Sequence, residues 1–184
     1  MNLNHYTQNR RRFLQFGTLL AAGFISTPTL AKRQTQERTL HFYNLHTEEK
    51  LSSTYWSDGH YQRSELNVIN RLLRDHRTDE ITQIDPLLLD LLHHTQQKLG
   101  SRQPLHIISA YRSQKTNTKL RQRSHKVAKR SLHTQGRAID FFLPDRELHQ
   151  IQQAALSLHG GGVGYYPRGK IQFVHMDTGR VRRW

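Results

Sequence analysis

His133, Gly136 and Asp140 sit at spacings of three and four residues in the stretch "SLHTQGRAID", and His175 and Asp177 alternate in "QFVHMDTG". Reading Ala138 to Leu143 as a strand puts Ala138, Asp140 and Phe142 on one face and Ile139 and Phe141 on the other. The same period of two groups Phe173, His175 and Asp177 against Val174 and Met176. Gly136 lies between His133 and the first strand, where a residue able to take positive φ lets the chain fold back and bring an imidazole toward a carboxylate. Two imidazoles and one carboxylate, His133, His175 and Asp140, match the donor set of a tetrahedral catalytic zinc with the fourth position open to water. Taken singly, each residue has a plainer reading: a solvated loop histidine, an aspartate capping a turn, a histidine satisfied at a strand end.

The chain has 184 residues, enough for one domain with its own core, and no cysteine, so any metal must be held by imidazole and carboxylate. Its net charge of +14 with His neutral calls for an anionic partner: nucleic acid, an anionic envelope polymer or a carboxylate-bearing substrate. The N-terminus, "NRRRFLQFGTLLAAGFISTPTLAK", orders three arginines, an apolar stretch and small residues as an export signal does, and its "RRRFLQ" start resembles a twin-arginine signal. Cleavage after Ala31 would remove three arginines and no acids, leaving residues 32–184 as a mature domain at +11. The apolar stretch, broken by Gly17 and Gly23, is too short for a secure membrane span, so no stable membrane insertion is expected after cleavage. An exported basic protein of a bacterium meets peptidoglycan stem peptides, in the periplasm, rather than nucleic acid; there is no helix-turn-helix or aromatic stacking motif.

The elements that must position these residues read as α+β. A strand over 38–46 continues across a Glu48/Glu49 turn into "STYW". Leu66, Ile69, Leu72 and Leu73 mark a helix beginning at a Ser64 cap, and Asp85, Pro86 and Gly100 bracket another over "DPLLLDLLHHTQQKLG". A strand over 104–111 leads into a basic loop with helical pieces, then comes the Asp140 strand, a helix from Asp145 to about His159, and a closing hairpin from "GGGVGYYP" and "KIQFVHMDTG". This order puts helices early and a small, mostly antiparallel sheet late.

"SLHTQGRAID" matches position by position the S-x-H-x-x-G-x-A-x-D signature of the M15 zinc peptidases, the group of D-Ala-D-Ala dipeptidases, carboxypeptidases and peptidoglycan endopeptidases. "SAYRS" at 109–113 and "FVHMDTG" at 173–179 resemble two further elements of that family, and the whole chain, with "NLHT" at 44–47, "GGGVGYYP" and Trp184, is similar to its periplasmic murein endopeptidase K branch. The resemblance implies a single D-Ala-D-Ala-peptidase-like (hedgehog-like) domain, zinc held by His133, Asp140 and His175, and Arg112 orienting the substrate beside the metal. It implies hydrolysis of stem-peptide cross-links, an L,D bond between two diaminopimelates before a D,D bond. One position departs: several family members carry Glu or Asp three residues before the last histidine ligand as general base, and here it is Gln172. Asp177 is then either the base or the partner that fixes the His175 tautomer. His125, His159, Tyr165 and Tyr166 are further candidates for stabilising a transition state. Gln172 also feeds the alternative of a non-catalytic peptidoglycan-binding module that keeps the fold. The oligomeric state is left open.

Overall fold

The computed structural model describes residues 37–124 and 127–184; the export signal expected over 1–31, and His125, lie outside the described residues. Among them the order is β1 (Arg38–Asn44), β2 (Lys50–Ser57), β3 (His60–Tyr61), α1 (Arg63–Leu72), α2 (Pro86–Leu99), β4 (Leu105–Ser109), α3 (Gln114–Arg123), a 3-10 turn (Leu132–Gln135), β5 (Ala138–Phe142), α4 (Leu148–Leu156), β6 (Gly162–Tyr166), β7 (Phe173–Asp177) and β8 (Arg182–Arg183). All eight strands join one sheet in the order β3-β2-β1-β4-β5-β7-β6-β8. Five of the seven pairings are antiparallel; β1 with β4 and β6 with β8 are parallel. The class is α+β as expected, but the sheet is not confined to the late part of the chain: the N-terminal strands β1 to β3 dock through the β1–β4 pairing and widen it from five strands to eight.

Alternation decides which face of the sheet is covered. Leu40 and Phe42 of β1, Ile107 of β4, Ile139 and Phe141 of β5 and Val174 and Met176 of β7 are all buried and form one core with Ile69 and Leu72 of α1, Leu88, Leu89 and Leu92 of α2, and Ile151 and Ala155 of α4. The residues between them, Asp140, His175 and Asp177 among them, therefore project from the opposite face.

Helix α2 begins and ends as its sequence dictates: the Asp85 carboxylate accepts from the Leu87 amide, Pro86 takes the first position, and Gly100 closes it at φ 60°. Two helix starts differ from expectation, and the strands expected over 38–46 and 104–111 and the helix expected to about His159 end at Asn44, Ser109 and Leu156. Helix α1 starts one residue before Ser64, behind Gln62, which makes no side-chain cap. Helix α4 starts at Leu148 because Glu147 and Gln150 form a reciprocal capping box, while Asp145 instead accepts from the Ser101 hydroxyl and pairs with Arg146.

Gly136 takes φ 67°, and a Cβ there would overlap the carbonyl oxygen of Gln83. Gly100 has nearly the same φ but open space around its missing Cβ. Gly100→Ala is expected to cost about 1–2 kcal/mol for the left-handed backbone alone, and Gly136→Ala at least twice as much, since the Gln83 backbone must also move. Urea unfolding of the two variants checks the ranking; equal costs would show that the turn before β5 yields freely.

Candidate active site

A single row of residues crosses four strands on the uncovered face of the sheet. Ser109 of β4 lies opposite Asp140 of β5, Asp140 opposite His175 of β7, and His175 opposite Gly164 of β6. A register irregularity between Ile107 and Ser109 brings Ser109 into this row. The segment after β4 is stitched to its surroundings: the Tyr111 amide donates to the Leu73 carbonyl, that of Arg112 to His133, and that of Ser113 to the Asp75 carboxylate. The His133 turn is thereby held beside the row, and Gly136 returns the chain into β5.

The three residues singled out for a metal converge. His133 Nε2, His175 Nδ1 and Asp140 Oδ1 lie 3.3, 2.8 and 3.3 Å apart pairwise, and among the described residues they form the one cluster of His and acidic groups able to hold an ion. These separations compare with the ~3.3 Å edge of a tetrahedron whose ligands stand about 2.0–2.1 Å from zinc. The far nitrogens are occupied: His133 Nδ1 meets the Ala110 carbonyl at 2.6 Å and His175 Nε2 meets Asp177 Oδ2 at 3.0 Å. With both far nitrogens donating, neutral rings turn two nitrogen lone pairs and a carboxylate oxygen toward one point, an arrangement that needs a cation or a proton at its centre. The donor set fits zinc.

All three are buried, with His133 3%, Asp140 4% and His175 9% exposed. Burial pushes His133 toward the neutral form, and the Arg112 charge adds to that. Burial acts the same way on His175, but hydrogen bonds to Asp140 and Asp177 outweigh it and hold its pKa above the ordinary value. Burial disfavours a charged Asp140, yet His133, His175 and Arg112 hold it well below the usual carboxylate range.

Arg112 is beside the cluster, with two of its three guanidinium nitrogens engaged. Nη2 donates to Asp140 Oδ2 at 2.5 Å and Nε to the Ser109 hydroxyl at 2.8 Å. One of these bonds is thus spent on positioning Asp140 and the other on Ser109, while Arg112 also lines the cleft. Asp177 is fully buried. Besides His175 it accepts the amides of Gly162 and Gly179 and both terminal nitrogens of Arg182. Burial alone would raise its pKa, but these partners hold it well below the usual range. A carboxylate so committed suits the tautomer-fixing role better than that of a base reaching for water. Gln172 is exposed, one residue before β7, and does not line the cleft. Of the other candidates, Tyr166 lines the cleft, Tyr165 packs against the core, and His159 does neither.

The cleft over the cluster encloses about 400 Å³ and is also lined by Val127, Arg130, Phe173, Arg182 and Trp184. Arg182 and Trp184 had no role expected from the sequence. Their signal was the run of glycines at 160–164, since glycine inside a strand marks close approach by another group. A Cβ on Gly162 would strike Arg182, and one on Gly164 would come within 2.7–2.9 Å of the Trp184 indole.

The family model described as Peptidoglycan L,D-endopeptidase MepK matches residues 32–184. Peptidoglycan L,D-endopeptidase MepK of Escherichia coli (strain K12) is 44% identical over 184 residues, covering 99% of this chain and 100% of the relative, and the Shigella flexneri protein of that name gives the same figures. Probable peptidoglycan L,D-endopeptidase MepK of Haemophilus influenzae is 37% identical over 185 residues, covering 99% and 98%. No solved structure gives a significant match.

The anchor of the Arg112 segment is itself testable. Asp75 is 1% exposed. Burial raises its pKa, but hydrogen bonds from Thr116, Ser113 and the Arg77 amide bring it from the ordinary 3.8 down to about 2. A depressed folded value stabilises the fold above the unfolded pKa and is lost as pH falls from about 4 to 2, a contribution of roughly 2 kcal/mol. Asp75→Asn is therefore expected to lower stability by about that amount at pH 7 and by much less near pH 2. Urea titrations at the two pH values measure it; an equal deficit at both would contradict the assignment.

Proposed function

We propose, from the premise that this chain belongs to the M15 peptidase family described as Peptidoglycan L,D-endopeptidase MepK, that it hydrolyses peptide cross-links of peptidoglycan, the L,D bond between two diaminopimelates first, with zinc held by His133, Asp140 and His175. The observation that carries this reading is the convergence of three buried donor atoms within 2.8–3.3 Å of one another beneath an open cleft. Bound there, zinc supplies a Lewis acid for the peptide carbonyl and brings the ionisation of water near neutral pH.

The remaining chemistry belongs to the side chains. The Ala110 carbonyl and Asp177 fix which nitrogen each histidine turns inward. Arg112 keeps Asp140 ionised and oriented, and its free Nη1 is available to a peptide carbonyl or carboxylate. The amide of Gln172 cannot take a proton, and among the described residues Asp140 and Asp177 are the only carboxylates lining the cleft. Arg130, also in the lining, is exposed and makes no ion pair among the described residues, which suits a stem-peptide carboxylate.

Such a substrate puts the protein in the periplasm. The beginning of the family match at residue 32 fits a separable export signal over 1–31, whose twin-arginine type is read from "RRRFLQ" alone, and no helix among the described residues is long and apolar enough to cross a membrane.

His133→Ala and Asp140→Ala are each expected to abolish zinc binding and the release of soluble muropeptides from isolated sacculi together, as read by metal analysis beside a chromatographic digest. A zinc-free variant that still releases muropeptides, or a zinc-loaded parent that binds sacculi without releasing any, would overturn the proposal. Asp177→Asn separates the two roles open to that residue: as a positioning residue it should weaken zinc affinity by roughly 10- to 100-fold in a chelator competition, whereas loss of a base would slow turnover at unchanged affinity.

A further inference from the structure

One wall of the cleft takes no part in the chemistry above, yet its side chain is held from several sides. The backbone of Trp184 is tied to β6 on both sides, its amide donating to Val163 and its carbonyl accepting from Tyr165. Its indole lies in the space that Gly164 leaves by lacking a Cβ, and its Nε1–H donates to the Tyr166 hydroxyl at 2.7 Å. The Arg182 guanidinium stands 4.7 Å from the ring centroid. Tyr166 is in turn stacked on Phe173 with centroids 4.5 Å apart. The indole centroid is 5.2 Å from that of His175, and with 47% of the residue exposed Trp184 offers the cleft a rigid apolar surface at little entropic cost.

We propose that Trp184 is the specificity-determining residue of the site, receiving the unbranched aliphatic chain of the diaminopimelate on the acyl side of the scissile bond. The inference rests on the cross-link hydrolase reading and deepens it. An L,D cross-link joins diaminopimelate to diaminopimelate, whereas a D,D cross-link joins D-alanine to diaminopimelate. The amine-side residue is the same in both, so a site that prefers the first reads the acyl-side residue, which differs in configuration (L against D) and in side chain; an aromatic wall reads the side chain. That side chain is either three methylenes ending in a charged amino-acid group or a single methyl. A broad aromatic face beside a zinc ligand rewards the former, and the methyl covers little of it. Arg130, in the same cleft lining, is there for the carboxylate at the chain's far end.

The test uses the zinc-loaded protein and two cross-linked peptides that differ only in the acyl-side residue, diaminopimelate or D-alanine. Trp184→Ala is expected to lower kcat/KM for the diaminopimelate peptide by about 10- to 100-fold, chiefly through KM, and to change that for the D-alanine peptide by no more than about threefold. Zinc stoichiometry should stay at the parent's value, and Trp184→Phe should restore most of the loss. Tyr166→Phe, which removes the acceptor that orients the indole, should give a smaller loss of the same selective kind; it carries the test alone if Trp184→Ala fails to fold. Equal losses on both peptides, or an unchanged rate on the diaminopimelate peptide, would overturn the role of Trp184 while leaving the hydrolase reading intact. A parent protein that cleaves neither peptide would overturn both.

Discussion

The register that sets Asp140 opposite His175 is the constraint on which everything else in this molecule depends. Strand side chains alternate, so a slip of one residue by β7 against β5 would send His175 into the core and bring Val174 and Met176 out to the cleft, and a slip by β5 would do the same to Asp140, Ile139 and Phe141. Those four apolar residues are buried against α1, α2 and α4, and their burial, worth about 1.5–3 kcal/mol per large side chain, forbids the slip. The hydrophobic core on one face of the sheet thus places donor atoms on the other.

The polar face has its own internal logic. His175 stands between two carboxylates, Asp140 at one nitrogen and Asp177 at the other, and each carboxylate is held by an arginine, Arg112 and Arg182 respectively. Burying an unpaired charge in such a place costs several kcal/mol; here each negative charge has a positive neighbour and further hydrogen bonds. The same pairing explains why neither carboxylate is free to wander. It also explains why Arg112 serves Asp140 before it can serve a substrate.

Much of this was legible in the chain, for reasons that are local. The period of two in "AIDFF" and "FVHMD" put Asp140, His175 and Asp177 on a common kind of face, and Gly136 marked the turn that returns the His133 loop to β5. Asp85, Pro86 and Gly100 delimited α2 because capping is decided within one helical turn. What sequence concealed was non-local. The parallel docking of β8 on β6 brings Arg182 onto Asp177 and Trp184 over Gly164, and no periodicity announces a two-residue strand. The docking of the N-terminal hairpin on β4 was hidden for the same reason. The start of α4 was misjudged because Asp145 looked like a cap while Glu147 and Gln150 form the reciprocal one.

The account turns on a metal held from three sides, with His175 using Nδ1 because Nε2 is committed to Asp177. Diffraction data from crystals of the zinc-loaded protein, collected on both sides of the zinc absorption edge, test this directly. A single anomalous peak about 2.0–2.2 Å from His133 Nε2, Asp140 and His175 Nδ1 is the predicted result. A peak elsewhere, or one coordinated through His175 Nε2 with Asp177 displaced, would contradict it.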